Sequence, residues 1–301
     1  MKKIFLFVAA LCTGAMMSAT TYTLEPGVDQ IKGIKESLAD GDTLLFKTGE
    51  YKENTGKMIF TTKLTLMAAE DQTPELKVYD FRLANDFEAN GITFTNLSTD
   101  NYLVRSNAAA ENVSFKNCTF NNQAPTPHIY LSSNAVTNLI IDNCFFGPTT
   151  KSEGAAVYGC STAVTNFTLT NSTFVGCGGT DLAVYMKDLT TAVVDHCTFY
   201  GCGARVLYLP SETTLDSCAV SNCIVANDTL VAQYCVATYA GIVDNVLYYN
   251  TNAPRSSNAT VNGCINEDPL FVNAAEGDFT LAEGSPAIGA ATDGSNLGDP
   301  R

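Results

Sequence analysis

Four segments of the chain, NVSFKNCTF from Asn112, NLIIDNCFF from Asn138, NFTLTNSTF from Asn166 and TAVVDHCTF from Thr191, repeat one pattern at intervals of about 26 residues. A unit of this length cannot bury an apolar face alone. Stacking on its neighbours does so, and the period therefore prescribes a solenoid. The anchors are Asn117, Asn143, Asn171, His196 and Asn222, with looser echoes at Asn96 and Asn245, giving steps of 21, 26, 28, 25, 26 and 23 residues.

Around each anchor the apolar residues alternate, which is the period of a strand with one buried face. Two places before it stand Phe94, Phe115, Ile141, Leu169, Val194, Val220 and Val243. One place after it stand Leu97, Cys118, Cys144, Ser172, Cys197, Cys223 and Val246, and three places after it Phe120, Phe146, Phe174, Phe199 and Val225. The parity changes across the anchor, so the chain bends there. Asn tolerates a left-handed bend, and amides stacked on successive rungs hydrogen-bond one another. The expectation is an all-β, right-handed parallel β-helix of about 7–9 coils with an Asn ladder at one corner. The composition of the 301 residues, 16% charged and without Trp, suits strands and turns in one elongated domain.

The first 19 residues, MKKIFLFVAALCTGAMMSA, read as a signal peptide cut after Ala19, because the apolar run is too short to span a membrane. A lipid anchor at Cys12 is the lesser alternative, since Leu11 is bulky and the Cys sits inside the apolar run. The mature protein is then secreted, periplasmic or held at the cell surface. Loss of Lys2 and Lys3 takes the net charge from -14 to -16. Such acidity argues against nucleic acid as a partner. No phosphate loop or dinucleotide fingerprint is present.

Residues 20–60 read as an N-terminal cap and first coil, with an amphipathic helix from Val28 to Leu38 covering the open end. Residues 61–265 read as the β-helix and 266–301 as a loop-rich plug for the far end. Ten cysteines remain after cleavage. Cys118, Cys144, Cys197, Cys223 and Cys264 share the inward position after the anchor and read as packed thiols. Cys177 and Cys202, in the related turns FVGCGG and FYGCGA, are the better disulfide pair in an oxidising compartment.

DGDTLLFKTGEYKE near the start, the NCTF-type rungs, and DPLFVNAAEGDFTLAEGSPAIG near the end resemble right-handed parallel β-helix proteins of the pectate-lyase-like superfamily. Within it the chain is similar to secreted members of unknown function from glycan-foraging gut bacteria. The resemblance covers nearly the whole mature chain and implies a carbohydrate ligand or substrate along one exposed sheet. The fold hosts lyases, hydrolases, adhesins and scaffolds, so it does not by itself choose among them.

A strand preceding each anchor carries a Tyr between two residues that can face inward: HIYLS, AAVYGC, LAVYMK and RVLYLP. Tyr130, Tyr158, Tyr185 and Tyr208 should then form an outward ladder, either a flat platform for sugar rings, with His128 beside it, or rings that merely pack on one another. The flanking positions, taken as outward, are His128 and Ser132, Ala156 and Cys160, Ala183 and Lys187, and Val206 and Pro210. They hold no carboxylate pair of the kind a glycosidase needs. A lyase needs a base and a cation or Arg to hold a uronate carboxylate. Lys187 as base, Arg205 as clamp, and Asp181, Asp188 and Glu212 as calcium ligands make up that alternative. The leading reading is a polysaccharide-binding or accessory protein working beside other glycan-utilisation proteins. A calcium-assisted polysaccharide lyase and a non-catalytic adhesive scaffold are the alternatives.

Overall fold

The repeat bends where the anchors require it. In the computed structural model, which describes residues 18–121, 126–131, 135–149, 155–160, 164–178, 182–203, 205–210, 217–227, 234–256, 258 and 260–300, φ is 53° at Asn117, 52° at Asn143, 49° at Asn171, 49° at His196, 53° at Asn222 and 51° at Asn245. Each is a left-handed corner, a conformation that costs most L-residues about 1–2 kcal/mol. The side-chain amide of Asn143 donates to Asn117 Oδ1 at 2.5 Å, and that of Asn117 to Asn90 Oδ1 at 2.8 Å. Further along, Asn171 and Asn222 donate to Asp142 and Asp195 of the preceding coil, at 2.9 and 2.8 Å. The residue after each anchor fastens the bend. The thiols of Cys118, Cys197 and Cys223 and the hydroxyl of Ser172 donate to the carbonyl two residues back, at 3.1, 3.3, 3.0 and 2.7 Å.

Asn96 is not one of these corners. Gly91 takes the place, with φ 73°, and lies 26 residues before Asn117. A Cβ at Gly91 would sit 2.9 Å from that of Ala68, so even Asn would be crowded there. Phe94 accordingly pairs with Phe120 rather than with Phe115.

One coil shows the layout. Ala110–Lys116 lies in an eleven-stranded sheet, Thr119–Asn121 in a ten-stranded sheet and Ile129–Leu131 in a nine-stranded sheet, and Val136–Asp142 then pairs in parallel with Ala110–Lys116. The result is a right-handed parallel β-solenoid of about eight turns with very little helix. Inside it, Phe94, Phe120, Phe146, Phe174 and Phe199 form one column with ring centroids 5.4, 4.6, 4.4 and 4.8 Å apart.

Both ends differ from expectation. The helix spans only Gln30–Ile34, followed by a 3-10 turn at Lys35–Ser37, while Val28 is exposed in a strand paired with Lys52. Ile31 and Ile34 still cover the core. The buried Glu53 carboxylate fixes the helix start by accepting the Ile31 and Lys32 N–H groups at 2.8 and 3.1 Å, and burial raises its pKa.

At the other end, the segment after Asn266 forms a hairpin of Phe271–Asn273 and Asp278–Leu281 and then returns along the flank of the ten-stranded sheet instead of plugging the coil. Ala287, Ala291 and Leu297 cover the outward residues Ile224 and Leu247. Asn222 ties this return to the coil through Thr292 and Gly298, and Thr173 and Thr198 tie it through Asp299. Among the described residues no disulfide bond joins the ten cysteines, Cys177 and Cys202 included.

Candidate functional site

The outward column of the nine-stranded sheet runs, in register, through Ile59, Arg82, Arg105, Tyr130, Tyr158, Tyr185, Tyr208, Ala237 and Arg255. The four tyrosines share one column because each lies between two buried neighbours, as Tyr130 does between Ile129 and Leu131. A fifth ring joins from outside the strand: Tyr102 stacks on Tyr130 with centroids 4.0 Å apart and planes 8° apart. The next separations are 5.5, 4.9 and 5.7 Å, with interplanar angles of 13°, 33° and 37°.

This stacking corrects the platform geometry. Rings piled along the solenoid axis cover one another's faces and turn their edges outward, so the strip is a row of phenol edges rather than a flat apolar floor. The two end faces are occupied too. Arg105 lies 5.7 Å from the Tyr102 ring centroid and Arg205 lies 4.8 Å from that of Tyr208. Burial, then the neighbouring Cys160 and Tyr102, pushes the Tyr130 hydroxyl up to about 12. Burial also raises Tyr185, with Tyr158 and Tyr208 adding to it. These phenols therefore remain protonated donors at neutral pH.

His128 is not part of the surface. Its side chain is fully buried against Phe120 and Phe146. The strand begins only at Ile129, so alternation does not reach back one residue, and residues 128 and 129 both face inward. Ala156, Ala183 and Val206, expected outside, are buried as well. Ala156 likewise precedes its strand, whereas Ala183 and Val206 lie within Leu182–Met186 and Arg205–Leu209, where alternation is broken by consecutive buried residues. Ser132 lies outside the described residues.

At the head of the column, Asp80 is buried beneath two arginines. Arg82 donates from Nε and Nη2 to Asp80 Oδ2 at 2.9 and 2.7 Å, and Arg105 donates from Nη2 to the same oxygen at 3.2 Å. Arg105 Nε also lies 3.1 Å from Oδ1, without the alignment of a hydrogen bond. One carboxylate thus faces two guanidinium groups, leaving a net positive charge at this end. FRL repeats the apolar–outward–apolar spacing of IYL, a signal in the sequence that would have placed Arg82, while VRS keeps only the first apolar place and has the small, buried Ser106 in the last. Tyr102 precedes its strand and had no such signal.

Lys187 and Arg205 stand on opposite sides of the strip. Arg205 pairs with Leu182, and Lys187 lies two residues past Tyr185, the partner of Tyr208. Their backbones are five positions out of register, roughly 16 Å along the strand. Lys187 is exposed, and Arg205 reaches back over Tyr208. Asp188 follows Lys187 in a left-handed bend with φ 60°, while Asp181 and Glu212 lie outside the described residues. Among the described residues, no three His, Cys, Asp or Glu side chains are grouped to hold a metal ion, and no helix is long and apolar enough to cross a membrane.

With this geometry in place, comparison with solved structures is informative. A PL6 family alginate lyase, AlyGC, superposes over 87% of this chain with a TM-score of 0.54 at 16% sequence identity. The fold is shared. The chain spans 41% of that lyase's length, so the likeness concerns the solenoid and not the whole enzyme. Residues 192–301 match a domain of unknown function, DUF5123. No curated protein matches the sequence.

Proposed function

We propose that this chain is an exported polysaccharide-binding protein that holds its ligand lengthwise along the nine-stranded sheet. The observation that carries this reading is the row of five stacked phenols, each ring 4.0 to 5.7 Å from the next, bracketed by Arg105 and Arg205. The spacing is close to the length of one sugar unit. The donors are phenolic O–H and guanidinium groups aimed at a repeating array of oxygens, and binding proceeds through hydrogen bonds to the ring edges rather than through stacking on a face. The likeness to an alginate lyase supports a polysaccharide as the ligand class.

The same likeness favours one second reading, a polysaccharide lyase. There Lys187 would take the proton beside a uronate carboxylate that Arg205 holds, with Asp188 as the described member of a calcium site. A single experiment separates these readings. The purified chain is run through native gels cast with neutral or uronate polysaccharides, with and without calcium, while ultraviolet absorbance follows any unsaturated product. Retardation without absorbance is the expected result. Rising absorbance would replace binding with lyase chemistry, and neither signal across the panel would leave a scaffold without a sugar site.

A further inference from the structure

His196 is the ladder corner that carries an imidazole where its neighbours carry an amide, and the ring makes contacts that Asn could not. Its Nδ1 is 2.8 Å from Asp195 Oδ2 and its Nε2 is 2.9 Å from Ser295 Oγ, ninety-nine residues away in the returning segment. Asp195 is itself held in place, since its Oδ1 accepts the Ser221 hydroxyl at 2.7 Å and the Asn222 amide at 2.8 Å. A held carboxylate, an imidazole it orients and a hydroxyl on the far nitrogen are the three parts that activate a serine. The ring is largely buried while Ser295 is exposed. A base fixed by the coil therefore meets an accessible nucleophile.

We propose that Asp195, His196 and Ser295 form a serine acyl-transfer site for short-chain esters. Ser295 Oγ attacks the ester carbonyl carbon and His196 Nε2 takes the hydroxyl proton. The ester C–O bond breaks, and the departing alcohol leaves with that proton. Water then attacks the acyl-serine, giving one proton to Nε2 and from there back to Ser295 as the carboxylic acid leaves. A cavity of about 150 Å³ opens beside the next residue, Asn296, lined also by Thr198, Ile224, Phe271, Phe279 and Leu297. A volume of that order accommodates a ligand about the size of benzene, and so a short acyl chain.

A second acceptor competes for the hydroxyl. Asp293 Oδ1 lies 2.6 Å from Ser295 Oγ, accepts the Ser295 N–H at 2.9 Å, and lies 3.9 Å from His196 Nε2. When the hydroxyl points to Asp293, its proton is turned away from Nε2. When it points to Nε2, that nitrogen is placed to take the proton.

The test is labelling with a fluorophosphonate probe, with the adduct mapped by mass spectrometry, alongside hydrolysis of p-nitrophenyl acetate. An adduct on Ser295 is expected, with both signals lost in Ser295→Ala and lowered roughly 100-fold or more in His196→Asn. Thermal melting of each variant reports whether the returning segment stays docked. Asp293→Asn frees the hydroxyl for His196 and should label at least as fast as the parent. An unlabelled parent protein, an adduct that survives His196→Asn in a folded variant, or loss of labelling in Asp293→Asn would each overturn the assignment.

Discussion

His128 gives the coil geometry its most quantitative test. The imidazole is fully buried, with ring centroids 6.3 and 5.6 Å from Phe120 and Phe146, and neither nitrogen has a hydrogen-bond partner. Burial lowers its pKa from 6.5 to about 3, against a weaker pull from the Phe120 carbonyl. Because the folded value lies below the unfolded one, the unfolded chain binds the proton first. Full stability is present above the unfolded pKa and is lost as the pH falls from there towards the folded pKa. The loss is about 1.4 kcal/mol per pH unit, so two units of acidification cost about 3 kcal/mol.

His128→Leu should remove that term. The variant places an apolar side chain in a corner column that already holds Leu103, Ala156, Ala183 and Val206, all buried. Urea denaturation of both proteins at neutral pH and two units below 6.5 supplies the comparison. Other titrating groups affect both proteins alike, so they cancel in the difference. The variant should gain about 3 kcal/mol relative to the parent between the two conditions. Parallel losses in the two proteins would mean that His128 is solvated or partnered in the folded state, and the inward assignment of this corner would fail.

Three further predictions address the core, the corner and the site. Phe146→Ala removes the ring stacked between Phe120 and Phe174 at 4.6 and 4.4 Å, and should cost roughly 3–5 kcal/mol in denaturation, whereas a loss below about 1 kcal/mol would contradict the internal column. Asn143→Ala should cost about 2 kcal/mol, from a left-handed Ala and a lost ladder bond, and Asn143→Gly about 1 kcal/mol less; equal costs would show that φ of 52° carries no strain there. Tyr185→Phe keeps the stack and removes one donor, so affinity for a retained polysaccharide should fall about fivefold to tenfold at unchanged stability. Unaltered affinity would return the site to ring faces or move it elsewhere.

Features of the fold that recur on every coil were legible in the sequence, because each rung repeats the same signal. Phe120, Phe146, Phe174 and Phe199 at one offset from the anchor identify an inward column whatever the local noise. Where a rung departs from the pattern, sequence alone misleads. Asn96 imitates an anchor, but the bend belongs to Gly91, which needs no side chain to turn left-handed. His128 lies one residue outside its strand, where alternation no longer applies. The outward placement of the tyrosines follows from their buried neighbours. Their edge-on stacking does not, because ring orientation is set by contact between rungs and leaves no trace in spacing. Ser295 had no repeat to locate it; its partner His196 stood out as the exception on the ladder.

The three outer faces offer different chemistry, and the difference argues for where a ligand binds. On the ten-stranded sheet, Ile224 and Leu247 are already covered by the returning segment. On the eleven-stranded sheet, the amides of Asn138 and Asn166 donate to Asn112 and Asn138 at 2.9 Å each, and Thr191 donates to Asn166 at 2.8 Å, so that ladder spends its polar groups on itself. Beside it stand the exposed apolar Ile140, Val193 and Ile242, which offer a sugar no directional contact. The nine-stranded sheet instead presents phenols kept protonated at neutral pH, between guanidinium groups, at the rung spacing. Under the proposed binding mode, a chain-like ligand with regularly placed oxygens would gain one contact per coil on that face, and the gain would accumulate with each unit bound. Lengthening an oligosaccharide should therefore tighten binding stepwise until the ligand spans the strip from Tyr102 to Tyr208. Affinity that is flat from the shortest oligomer would localise recognition to one rung and refute the lengthwise mode.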